Sequence, residues 1–131
     1  MPFNRMQVKS IDKYFPAIAS AGSVIAPVFY TPSAAEVLGF KLTMGAGTLT
    51  SGWSLNIYKN ASHANSRIGT TGVQGATTAY TATDLGTYLT TTVALKKLAA
   101  GNTVLCELVI ADADTVTGTV LQLDYLYGYE D

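Results

Sequence analysis

The side chains that can do covalent or metal chemistry are few in this sequence and stand apart. His63 and Cys106 are its one imidazole and its one thiol. A nucleophile needs a base within hydrogen-bond reach, and that base needs a third group to orient it. His63 lies in the polar turn Asn60-Ala61-Ser62-His63-Ala64-Asn65-Ser66 with no acid placed beside it, so it reads as a solvated loop residue. Cys106 falls at an inward position of an alternating segment. It reads as a small buried hydrophobe, and alone it forms no internal disulfide. Neither has a companion Cys or His at ligand spacing for zinc. Asp112-Ala113-Asp114 has the carboxylate spacing of a calcium loop but lacks the later glycine and bidentate glutamate, and reads as a turn. Gly45-Ala46-Gly47 and Gly69-Thr70-Thr71-Gly72 do not match a phosphate-binding loop. Asn60-Ala61-Ser62 matches the glycosylation triplet, which counts only in a secreted chain. The expectation is a protein with no catalytic, cofactor-binding or metal residues, and not an enzyme.

Aromatic residues offer a different chemistry. Trp53 and Tyr58, with Tyr80 and Tyr88, have the makings of a platform on which a sugar ring stacks. Trp53, however, alternates with Leu55 and Ile57, and that phase puts it in a core.

The elements that carry these residues are written in a period of two. Glu36 to Thr43 sets Leu38, Phe40 and Leu42 on one side, Trp53 to Tyr58 repeats the pattern, and Thr103 to Ile110 does so again. In the last such segment Leu121, Leu123, Tyr125, Tyr127 and Tyr129 alternate with Gln122 and Asp124. Alternation of this kind means half-buried strands, because successive side chains leave a strand on opposite faces. Strands are predicted over about 23–31, 35–44, 52–59, weakly 67–74, then 87–95, 103–111 and 118–129. Turns at Thr31-Pro32-Ser33, Gly45-Ala46-Gly47, Asn60-Ala61-Ser62, Ala99-Ala100-Gly101-Asn102 and Asp112-Ala113-Asp114 separate them. Helix is expected only as a short piece near Lys96-Lys97-Leu98, and Gly72 to Gly86 as a long loop. The fold class is all-β, an antiparallel β-sandwich of the jelly-roll kind.

Composition bounds the partners. The 131 residues are 48% hydrophobic and 13% charged with a net charge of −1, which excludes both overall disorder and a strongly basic nucleic-acid binder. The longest apolar stretch, Tyr14 to Tyr30, is broken by Pro16, Gly22 and Pro27, so no membrane span is expected. Arg5, Lys9, Asp12 and Lys13 leave too short an apolar run for a signal peptide. A low-charge surface rich in Thr, Ser, Asn and Gly suits contact with copies of the same chain.

Residues 1–22 read as an N-terminal arm and 23–131 as the sandwich. The arm holds Arg5, Lys9 and Lys13 against Asp12, while Asp84 to Asp131 holds seven acids and two bases. Phe3, Tyr14 and Phe15 interleave with the arm's bases, and no period-two pattern is evident there. Aromatics on a segment outside the sandwich forfeit burial unless another chain covers them. Phe3, Arg5, Lys9, Lys13, Tyr14 and Phe15, together with Tyr125, Tyr127 and Tyr129 of the last strand, are therefore the expected partner or oligomer contacts. The alternative for Phe3, Tyr14 and Phe15 is to cap one end of the same subunit's sandwich.

The order of pieces resembles that of small head decoration (cement) proteins of tailed bacteriophages. The matching segments are Val28-Phe29-Tyr30-Thr31-Pro32, Ala35-Glu36-Val37-Leu38-Gly39-Phe40-Lys41-Leu42-Thr43, Gly45-Ala46-Gly47-Thr48-Leu49-Thr50-Ser51-Gly52 and Leu98-Ala99-Ala100-Gly101-Asn102-Thr103-Val104-Leu105. The likeness covers about Val24 to Ile110. It implies a jelly-roll sandwich, a homotrimer and a partner in the major capsid protein. It also implies a place on the capsid surface of a virion after synthesis in the host cytoplasm, and no cofactor. The competing expectation is a carbohydrate- or receptor-binding module of a phage tail or fibre.

Overall fold

The computed structural model describes residues 7–16, 22–45, 51–62, 64–75, 82–110 and 118–127. Its strands are β1 (Gln7–Tyr14), β2 (Ser23–Tyr30), β3 (Ala35–Thr43), β4 (Ser51–Lys59), β5 (Arg67–Thr70), β6 (Gln74–Gly75), β7 (Thr83–Asp84), β8 (Lys97–Leu98), β9 (Thr103–Ile110) and β10 (Val120–Tyr127). They form two antiparallel sheets. One runs β1-β10-β3-β7 with β8 also on β3, and the other β2-β9-β4-β5 with β6 also on β4.

The pairing follows a single plan. β1 pairs with β10, β2 with β9, β3 with β7 and β8, and β4 with β5 and β6. That is one antiparallel ribbon doubled back on itself. Rolling it up brings β10 against β3 and β9 against β4, which makes the two sheets. This is the jelly-roll arrangement expected from the sequence.

Burial follows the period of two. Val104, Cys106, Leu108 and Ile110 of β9 are fully buried, with Thr103, Leu105, Glu107 and Val109 between them half-buried. Trp53, Leu55 and Ile57 of β4 and Leu121 and Leu123 of β10 complete the same core. Trp53 is thus a core residue, as its phase predicts. Between the sheets Phe29 of β2 stacks on Tyr125 of β10, and the Phe40 ring of β3 closes over Gly69 of β5.

The structure departs from the sequence reading in four elements, each for a local reason. Residues 7–14, expected within an arm ahead of the fold, are strand β1, in unbroken register with β10. The pattern is hidden because Lys9 and Lys13 occupy the two neighbouring positions on Ile11's own face, where apolar residues would mark a strand. Lysine tolerates such places because its stem packs while its head reaches water. Leu38 was expected beside Phe40 and Leu42 but lies outside, 39% exposed. Gly39 pairs with Asp124 and Val37 with Tyr125, so Leu38 is the extra residue of a bulge that resets the phase. The inward row is therefore Ala35 and Val37, then Phe40 and Leu42.

Finally, 87–95 is not a strand. It holds a 3-10 turn at Gly86–Tyr88 and a helical turn at Val93–Lys96, slightly ahead of where the short helix was expected. Asp84 accepts from the Gly86 N–H at 2.9 Å and Thr90 from the Thr92 N–H at 3.1 Å. Such side-chain bonds offer the backbone an alternative to a ladder. The weak 67–74 strand splits into β5 and β6, because Gly72 turns at a φ of 62°.

Candidate functional site

The ends of the strands are held by hydrogen-bonded turns. Asn60 closes β4 in a left-handed conformation (φ 68°) that asparagine tolerates better than most residues. Its N–H donates to the Thr103 carbonyl and its Oδ1 accepts from the Thr103 N–H, both at 2.8 Å. The Thr31 N–H donates to the Asn102 carbonyl at 3.1 Å, and the Gly101 N–H donates to the Thr31 carbonyl at 2.8 Å. Lys59 Nζ reaches from β4 to the carbonyls of Ala94 (2.9 Å) and Lys97 (3.2 Å), tying the helical turn to the opposite sheet.

Between those ends each sheet shows a different face to its surroundings. The outer face of the β2-β9-β4-β5 sheet carries a set of apolar side chains among polar ones. Ile25 and Tyr30 are 48% and 65% exposed, and Leu105 and Val109 are half-buried beside them. One polar cluster interrupts it. Asn56 Nδ2 and the Tyr58 hydroxyl each donate to Glu107 Oε1 at 3.1 Å, and Thr70 Oγ1 donates to Asn56 Oδ1 at 2.6 Å. Arg67 lies 6.0 Å from the centroid of the Tyr58 ring, at the outer limit of a cation–π contact. Burial pushes the Tyr58 phenol above its ordinary value, an effect Glu107 reinforces and Arg67 opposes. Tyr58 is itself buried, so its ring offers no open face for a sugar. Trp53 is also buried, so of the platform considered from the sequence only Tyr88 is exposed among the described residues, Tyr80 lying outside them.

The outer face of the other sheet sets polar side chains among the exposed Val8, Tyr14 and Leu38. Ser10 Oγ donates to Asp124 Oδ1 at 2.6 Å and Gln122 Nε2 donates to the same oxygen at 3.0 Å. Glu36 faces Lys97 across one strand pair and Asp84 faces Lys41 across another.

Among the described residues there is no group of three His, Cys, Asp or Glu side chains able to hold a metal ion. Burial raises the Cys106 thiol far above its ordinary value, so it is a protonated, inert core group. His63 and Asp112 to Asp114 lie outside the described residues. No described helix is long and apolar enough to cross a membrane.

The expected contact residues are divided by the structure. Phe15 and Tyr125 are buried in the chain's own core. Phe15 takes the role of cap, its N–H donating to the Thr119 carbonyl at 2.9 Å. Lys9 and Tyr14 are exposed and Lys13 half-exposed along β1, with Tyr14 at 70%. Tyr127 pairs with Gln7 and Ala35 in the sheet. Phe3, Arg5 and Tyr129 lie outside the described residues. Sequence reasoning missed the apolar outer row of Ile25, Tyr30, Leu105 and Val109. Its signal was the near-continuous hydrophobicity of β2 and β9, which alternation alone does not distinguish from a one-sided strand.

No family model matches the chain, and no curated protein matches it. Among solved structures it is similar to a chain of the acidic stable capsid structure of Helicobacter pylori bacteriophage KHP30. The identity is 16%, over 95% of this chain and 89% of that one, with a TM-score of 0.49.

Proposed function

We propose that this chain is a structural virion protein that binds the outside of a phage capsid as a decoration, or cement, protein. The observation that carries the reading is the rolled-up ribbon of β1 to β10, the architecture implied by the resemblance in Val24 to Ile110. A jelly roll locked at its turns, with its ionisable groups spread over its faces, is suited to being a rigid surface. A cement protein stabilises a shell by mass action, because it binds assembled subunits and not separated ones. Repetition over the shell adds avidity to contacts that are individually weak.

In this reading the partners are the major capsid protein and two further copies of the chain. The outward apolar side chains Ile25, Tyr30, Leu105 and Val109 support self-association, since burying them against copies removes them from water. Lys9, Lys13 and Tyr14, with Phe3, Arg5, Tyr127 and Tyr129, remain the proposed contacts with the shell or a neighbour. The protein is placed on the capsid surface of the virion.

Cryo-electron microscopy of particles that carry the chain tests the proposal. Threefold-symmetric density over the shell exterior is expected, and particles lacking the chain should rupture at a lower temperature. Density confined to the tail or fibre would overturn the decoration role in favour of a receptor-binding module.

A further inference from the structure

β1 ends one sheet and β2 ends the other, and their outer edges are not equivalent. In β2 the Gly22 carbonyl accepts from the Ile110 N–H at 2.8 Å, so alternation turns Val24 and Ala26 toward β9 and Ser23, Ile25 and Pro27 away from it. Pro27 therefore removes a donor from the outward side, and a bulge at Val28 follows at once. Both features blunt an edge against further pairing.

β1 lacks both devices. The Phe15 N–H donates to Thr119 of the β10 segment at 2.9 Å, so Lys9, Ile11 and Lys13 use their backbone groups on β10. The N–H and C=O groups of Val8, Ser10, Asp12 and Tyr14 then point away from it. That edge has no proline and no break in register, and among the described residues no strand pairs with it.

The side chains of β1 discriminate between occupants. A second copy pairing antiparallel about Ile11 would match Val8 with Tyr14 but set Lys9 against Lys13 twice. Sliding to a register centred on Ser10 sets Val8 against Asp12 instead. Like charges directly opposite one another destabilise a sheet, and opposite charges support it. A strand with carboxylates facing Lys9 and Lys13, and apolar residues facing Val8, Ile11 and Tyr14, complements both lysines and all three apolar positions.

We propose that the outer edge of β1 is a docking site for an antiparallel β-strand of a different polypeptide, one that carries paired carboxylates on one face. Backbone hydrogen bonds supply the attachment, and the two lysines select by favouring a strand with acids opposite them over one with bases. The inference holds whether or not the chain decorates a shell.

The test uses the full chain and a synthetic strand peptide with glutamates placed against Lys9 and Lys13 and valines against Val8, Ile11 and Tyr14. Binding should slow hydrogen exchange at the amides of Val8, Ser10, Asp12 and Tyr14. A peptide with lysines in place of the glutamates should bind about tenfold more weakly, the effect of two cross-strand pairs changing sign. Ser10→Pro, which removes an outward donor and spares the β10 ladder, should abolish binding. The double variant Lys9→Glu and Lys13→Glu, which leaves the backbone untouched, should reverse the peptide preference. Equal binding of the two peptides would overturn the proposal, as would no protection at millimolar peptide. So would a free protein in which those four amides are already protected by self-association.

Discussion

Phe29 of β2 and Tyr125 of β10 stack across the sandwich with ring centroids 4.4 Å apart and planes inclined by 31°. The two strands belong to different sheets, so this contact is one of the points at which the rolled ribbon is closed on itself. Tyr125 is 8% exposed, and its ring belongs to the fold before it can belong to any neighbour.

Tyr125→Ala should therefore cost about 3–5 kcal/mol in urea unfolding, as large aromatic truncations in a core do. In a double-mutant cycle with Phe29→Leu and Tyr125→Leu the coupling should be about 0.5–1.5 kcal/mol. A Tyr125→Ala protein of unchanged stability that lost only self-association would return this residue to the interface.

Gly69 is required by close approach and not by backbone angle. A Cβ at this position would lie 2.9 Å from the Phe40 ring and 3.2 Å from the Tyr88 carbonyl oxygen. Gly69→Ala should cost about 1–3 kcal/mol through overpacking, with no gain from its better conformational entropy. Pairing it with Phe40→Leu should recover part of the loss, because the smaller side chain yields space. Thermal melts of the two single variants and the double variant measure this directly.

Stability should fall on the alkaline side through two buried acids. Tyr58 and Cys106 both have raised values in the folded chain, each chiefly from burial. A raised folded value means the native state holds the proton more tightly than the unfolded one. Their contribution is therefore complete below the unfolded values, roughly 8.5 for a thiol and 10 for a phenol, and is lost as pH rises through and beyond them. Denaturant midpoints measured from pH 7 to 11 should decline above about pH 8.5. Cys106→Ala should flatten the first part of the decline and Tyr58→Phe the second. A midpoint that stays level over that range would contradict the burial of both groups.

The period of two in β9, β4 and β10 was legible in the sequence because it is a local rule. Alternate side chains must face alternate sides, whatever the strand pairs with. Leu121, Leu123 and Tyr125 against Gln122 and Asp124, or Val104 to Ile110, could be assigned from the alternation alone, and so could Cys106 as a core thiol. The turns at Thr31-Pro32-Ser33 and Ala99-Ala100-Gly101-Asn102 were equally local.

What the tertiary structure decided is everything that depends on which strand lies next to which. The bulge at Leu38 exists because β10 offers Asp124 and Tyr125 to three residues of β3, and no pattern within β3 announces it. β1 is a strand because β10 presents it with a ladder, and Lys9 and Lys13 are tolerated beside Ile11 only at the edge of a sheet, where their heads reach water. Phe15 and Tyr125 are equally able to anchor a neighbour or fill a core. The closing of β1 and β2 around one sandwich made them core, because burial within the chain carries no loss of translational freedom and burial against a partner does.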